Sequence, residues 1–172
     1  MDELALFHPE QVVAYIDVEG PNGLVRGQIA MPTVRYLTSD DYEAIIRLWK
    51  QAGLQSVRLR GRDSRDAFAA QLGAGQRVIG LEDGGQLFGA ILVTHDTRKG
   101  WINRLAVHPD YRRKGYAAQL IAAAEQELRA MGIRIFAVLV EADNIASQEL
   151  FVREGYKKND AVYLSKRDSD DV

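Results

Sequence analysis

The chain contains no cysteine. That excludes disulfides, thiolate metal sites and a cysteine nucleophile, and it suits a reducing compartment. Histidine is scarce, with three in the chain, too few and too scattered to suggest a metal set, so no metal is expected. No apolar run approaches a membrane span, and the N-terminus has no basic region followed by an apolar core. The cytoplasm is therefore the expected location, with no membrane partner. A net charge of −2 supplies no basic excess for nucleic acid, which is not expected as a partner. Repeats and low-complexity segments are absent too. What is present, 47% apolar and 27% charged residues over 172 positions, suffices for one soluble domain with a real core.

The most informative stretch is Trp101 to Met131, which reads strand, turn, basic glycine loop, helix. Trp101 to Val107 is apolar enough for a buried strand, and Pro109 ends it because proline cannot donate to a ladder. Arg112-Arg113-Lys114-Gly115-Tyr116-Ala117 follows. Ala117, Leu120, Ile121, Ala124, Leu128 and Met131 then recur at spacings of three and four, which predicts a helix with one core-facing stripe. Gly132 is the expected C′ residue. The first turn of a helix leaves N–H groups without partners, and the macrodipole adds positive charge there. A glycine and three basic residues at that joint make an anion site suited to a diphosphate. An isolated R-R-K-G run is more often a solvated turn, and the glycines and Ser/Thr of a nucleoside-triphosphate loop are missing. Strand before and helix after favour the anion site.

L-A-V-H-P-D-Y-R-R-K-G-Y-A resembles motif A of the GCN5-related N-acetyltransferases (GNAT), whose pattern [QR]-x-x-G-x-[GA] is met here by Arg112, Gly115 and Ala117. The resemblance extends to Asn144-Ile145-Ala146-Ser147 and to Glu149 through Tyr156, and covers roughly residues 33–166. It implies acetyl-CoA as donor and an amine of a small molecule, peptide or protein as acceptor. It also implies the residues that hold the donor. Leu105, Ala106 and Val107 would hold the thioester and pantetheine through backbone groups. The diphosphate would lie on Arg112, Arg113, Lys114, Gly115, Tyr116, Ala117 and Ala118. Asn144, Ser147 and Phe151 would flank the cofactor arm.

The remaining chain reads as one α/β or α+β domain: a mixed, mostly antiparallel sheet flanked by helices. Residues 1–32 form an extension. After an irregular start, Val12–Val18 and Leu24–Ala30 flank Asn22-Gly23, a strong hairpin signal. Three roles are open to this hairpin: extension of a sheet edge, a homodimer contact, or a plain cover for the core. Residues 33–166 form the GNAT-like domain and 167–172 a disordered tail. Thr33–Leu37 is a strand, and Asp40 with Glu43 resembles a capping arrangement before a helix bearing Tyr42, Ile45, Ile46 and Trp49. Asp63–Leu72 is a second helix. Gln76–Leu81 and Gln86–Thr94 form a hairpin through Asp83-Gly84-Gly85, with Gly89 marking a bulge or close packing. Ile133–Glu141 reads as a strand parallel to Trp101–Val107. Asn144 caps the last helix, Gly155 ends it, and Tyr156–Lys158 and Val162–Lys166 read as final antiparallel strands.

Acid and base are not assigned. Where many relatives by resemblance carry a tyrosine acid, this chain has Phe151, which cannot donate a proton. The position that often holds a carboxylate base is Asn103; Glu141 and Asp143 are weak substitutes. A thiol pKa near 8.5 makes thiolate release at pH 7 cost only about 2 kcal/mol. Neutralising a lysine amine costs roughly 4.6 kcal/mol, an α-amine only about 1. Arg58, Arg60 and Arg62 would share a side if extended, and by resemblance that loop borders the acceptor groove. Arg58 and Arg60 are therefore candidate acceptor residues, suited to a carboxylate. The competing reading is a solvated loop. An alternative function, favoured by Phe151 and Asn103, is a catalytically weak acyl-CoA-binding or sensor domain.

Overall fold

A computed structural model describes the backbone of residues 13–20, 23–30 and 32–169, with side chains from Pro32 onward. β1 (Val13–Gly20) and β2 (Gly23–Ala30) pair antiparallel from Val13↔Ala30 to Gly20↔Gly23, as a hairpin requires. The irregular segment before them, the Pro21-Asn22 turn and residues 170–172 lie outside the described residues.

A separate five-stranded sheet carries the rest of the fold. Its order is β3 (Thr33–Tyr36), β4 (Arg77–Asp83), β5 (Gln86–His95), β6 (Gly100–Val107) and β7 (Phe136–Val138). All neighbours are antiparallel except β6 and β7. Successive side chains alternate faces. Val78, Ala90 and Leu92 accordingly meet α1 (Tyr42–Gln51) and α2 (Arg65–Gly73) in a core with Ile45, Trp49 and Phe68. Ile79, Ile91 and Val93 meet α3 (Tyr116–Ala130) and α4 (Ile145–Arg153), packing with Leu120, Leu128 and Phe151. Helices thus cover both faces. No helix among the described residues is long and apolar enough to cross a membrane.

Four local expectations are corrected. The cap of the first helical segment is Thr38 with Asp41, not Asp40 with Glu43: Asp41 Oδ2 accepts from Thr38 N at 2.8 Å, and Thr38 Oγ1 accepts from Asp40 N. The α2 helix begins after Ser64, whose hydroxyl caps Ala67 N, while Asp63 is turned inward. The run Ile133–Glu141 contributes only Phe136–Val138 to the sheet. The two final strands do not form. Val162, Tyr163 and Leu164 are 82%, 69% and 86% exposed, and three consecutive apolar residues cannot all face one side of a period-two strand. Gly89 fulfils both expectations, since a register shift occurs beside it and a Cβ there would lie 3.2 Å from Leu120 and Leu81.

Candidate functional site

The site grows from β6 and its two ends. Pairing of β6 with β7 runs from Gly100↔Phe136 to Ile102↔Val138 and then stops. On the other side, Leu92 opposes Asn103 while Ala90 opposes Ala106, so β6 carries one extra residue between them. That bulge contains Arg104, whose φ of +50° lies in the left-handed region that side chains other than glycine seldom adopt. Beyond Ile102, no described strand covers the β7 side of β6. Asn103 to Val107 therefore borders an opening between two parting strands, with Leu105 and Val107 half-buried and Ala106 buried.

At the C-terminal end of β6 the chain turns through Pro109–Tyr111 into the basic loop. Two aromatic contacts hold the loop's ends: Tyr111 stacks on Phe88 at 4.1 Å, and Tyr116 meets the same ring edge-on at 4.9 Å. Arg113 and Gly115 take φ of +61° and +85°. Gly115 is the N-cap of α3, so no side chain caps the first-turn N–H groups. A Cβ on Gly115 would meet nothing within 4 Å; the glycine answers to backbone conformation, and the space beside the helix end is open. Arg113 and Lys114 are exposed, with Lys114 Nζ 5.3 Å from the Tyr111 ring centre. Arg112 has a second task, because its guanidinium donates to Val107 O (3.1 Å) and Ala52 O (2.9 Å), bracing the loop against the end of α1.

The flanking residues divide. Asn144 caps α4, its Oδ1 accepting from Ser147 N at 3.1 Å, and is exposed beside a half-buried Ser147. Phe151 is 5% exposed and sits in the α3-side core, edge-on to Tyr156 at 5.1 Å. Tyr156 offers no ready proton either: its hydroxyl donates to Glu125 at 2.9 Å, and burial followed by that carboxylate pushes its pKa well up. Asn103 donates weakly to Thr94 Oγ1 and Trp101 O. Glu141 and Asp143 are exposed turn residues.

The acceptor-side arginines are arranged differently from the extended run. Residues 59–63 turn, so Arg58, Arg60 and Arg62 do not alternate along an extended run. The Arg58 guanidinium donates to Gln55 O and Val57 O, and Arg62 donates to Ser56 O; Arg60 is exposed. Sequence reasoning missed the group that organises this loop. Asp63, 5% exposed, accepts a two-pronged pair from Arg104 Nη2 at 2.7 and 2.9 Å and also accepts from Arg58 N. Arg104 lies over the Trp49 ring at 4.6 Å. Burial lowers the pKa of Arg104, opposed by Asp63 and reinforced by Arg62 and Arg58. A charged residue inside the apolar run WINRLAV was the one signal available.

The comparisons agree with this fold. Residues 34–156 match the model of the acetyltransferase (GNAT) family. A protein named "Acetyltransferase" from Yersinia pestis (strain Pestoides F) is 29% identical over 134 residues, 78% of this chain and 94% of that one. An acetyltransferase of Sodalis glossinidius is 30% identical over 131 residues, 76% of this chain and 91% of its own length. Among solved structures, the PaiA N-acetyltransferase of Thermoplasma acidophilum, in complex with coenzyme A, superposes with a TM-score of 0.69 at 20% identity, covering 77% of this chain and 93% of that chain.

Proposed function

We infer, because the chain belongs to the acetyltransferase (GNAT) family, that it transfers an acetyl group from acetyl-CoA to a primary amine of a small molecule, peptide or protein. The observation that carries the reading is the uncapped N-terminus of α3 behind an exposed basic loop, at the end of a strand whose edge is open. The residues fit the donor's diphosphate. Unpartnered first-turn N–H groups, the helix dipole and the side chains of Arg113 and Lys114 all favour negative charge there. Leu105 to Val107 would hold the pantetheine arm by backbone hydrogen bonds along the free edge of β6, and Asn144 with Ser147 would close its far side. Phe151 supports that side from the core.

The donor supplies a thioester carbon: the amine nitrogen bonds to it, the carbon–sulfur bond breaks, one proton passes from the amine to the medium, and sulfur leaves as thiolate, which the medium protonates in turn. This chain presents no dedicated acid at Phe151, and Tyr156 is tied to Glu125. Thiolate release without an acid costs only about 2 kcal/mol at pH 7. An amine of low pKa lightens the other half of the step. The same two observations support a second reading, a weakly catalytic acyl-CoA-binding domain.

Gly115→Asp tests the donor site, since it places a carboxylate where the diphosphate would lie. Calorimetry is expected to show CoA affinity falling at least about a hundredfold with the circular dichroism of the parent retained. Unchanged affinity would refute the assignment. Release of free CoA over a panel of amines then separates an enzyme from a binding domain.

A further inference from the structure

We propose that the acceptor amine carries a carboxylate, received by Arg104 and Arg62 where β6 parts from β7. This rests on the acetyltransferase reading and specifies its acceptor. Three guanidiniums lie close together here, those of Arg58 and Arg62 in the loop before α2 and that of Arg104 in the β6 bulge. One carboxylate pairs with them: Asp63, two-pronged with Arg104 at 2.7 and 2.9 Å and 3.8 Å from Arg62 Nε. The surplus is positive. Donors are in surplus as well. Arg104 Nη1, Arg62 Nε and Trp49 Nε1 are all buried and have no partner among the described residues. Native interiors seldom leave buried donors unmet, and the two from Arg104 and Arg62 beside one carboxylate mark a place short of acceptors.

A carboxylate remedies both shortages, because its two oxygens match the guanidinium fork and bring the missing charge. Position selects the acceptor over the donor. Arg104 stands two residues beyond the last β6–β7 pair and directly before Leu105, at the acyl end of the proposed donor site. The diphosphate site lies past the other end of β6, across Val107. The 36%-exposed side chain of Arg62 forms the rim; Arg104, at 14%, lies at the base. Arg58 is occupied with loop carbonyls and contributes mainly charge.

Matched acceptors test the idea: amino acids and short peptides, each against its carboxamide and its decarboxylated amine. They are scored by CoA release and by calorimetric binding to the CoA-loaded protein, so that slow chemistry cannot hide recognition. The acid is expected to exceed its uncharged analogue by roughly ten- to a hundredfold in kcat/KM or affinity. Arg62→Gln, at the exposed rim, should raise the KM or Kd of the acid about tenfold and narrow its lead over the carboxamide. The KM of acetyl-CoA should stay within about twofold. Arg104→Lys, which keeps the charge beside Asp63 but loses the fork, should weaken the acid further. Uncharged analogues equal to or better than the acids, no carboxylate binder in the panel, or an indifferent rim variant would each overturn the proposal. Failure of the parent to bind CoA would instead count against the acetyltransferase reading.

Discussion

Arg104 and Asp63 show how one ion pair can set a loop. Asp63 receives two bonds from Arg104 and one from Arg58 N, so the loop before α2 is tied to the β6 bulge by a carboxylate nearly out of water. Removing one member leaves the other buried and uncompensated. Arg104→Ala should lower unfolding free energy by about 3–5 kcal/mol in urea titrations, and Arg104→Ala with Asp63→Ala should cost less than the sum of the singles. Asp41 gives a pH counterpart. The Arg35 guanidinium, then Thr38 N–H, hold its pKa below the usual carboxylate value, against some burial. A depressed folded pKa stabilises above the unfolded value near 4 and is lost as pH falls through the folded one. Asp41→Asn should therefore cost about 1 kcal/mol at pH 7 and little once Asp41 is protonated in the parent, a difference readable from urea midpoints at both pH values. Asn144 was legible as a cap because its partner Ser147 is three residues away. Arg104 was not, because its partner is forty-one positions distant and no periodicity reports on such a pair.

Elements fixed by local chemistry match their expected form, and those fixed by a partner do not. The β4–β5 hairpin follows from Gly84-Gly85 with φ of +55° and +82°, and α3 from its apolar stripe and Gly132 at φ +81°. The apolar run Ile133–Glu141 promises a longer strand than the three residues that pair. A parallel strand depends on the straightness of its neighbour, and pairing ends where the β6 bulge begins. The sheet and helix also constrain each other through glycine. A Cβ on Gly100 would lie 2.4 Å from Leu128 Cδ1, whereas one on Gly115 would meet open space. Gly100→Ala should thus destabilise by about 1–3 kcal/mol through overpacking. Gly115→Ala should cost about 1–2 kcal/mol through left-handed strain, and Gly115→Asn should recover part of it because asparagine tolerates that region. Thermal denaturation of the three variants distinguishes clash from strain.

Over the whole molecule, stability comes from two cores on opposite faces of one sheet, one around Trp49 and Phe68 and the other around Leu120 and Leu128. The C-terminal segment joins neither. From Lys157 onward the described residues are all exposed, Val162, Tyr163 and Leu164 included. The sequence pattern of that segment reads as a strand, and the two arrangements differ measurably. A strand paired to the sheet would bury Val162 or Leu164, and truncating either would cost about 2–5 kcal/mol, as for other large-to-small core changes. With the side chains in water, Val162→Thr and Leu164→Ser should each move the unfolding free energy by no more than about 0.5 kcal/mol. Ile133→Ala is the internal standard: Ile133 is 3% exposed in the α3-side core and should lose about 2–5 kcal/mol by the cavity argument. If Leu164→Ser approached Ile133→Ala in cost, the segment would have to be packed against the protein in solution, and the sheet would extend past β7.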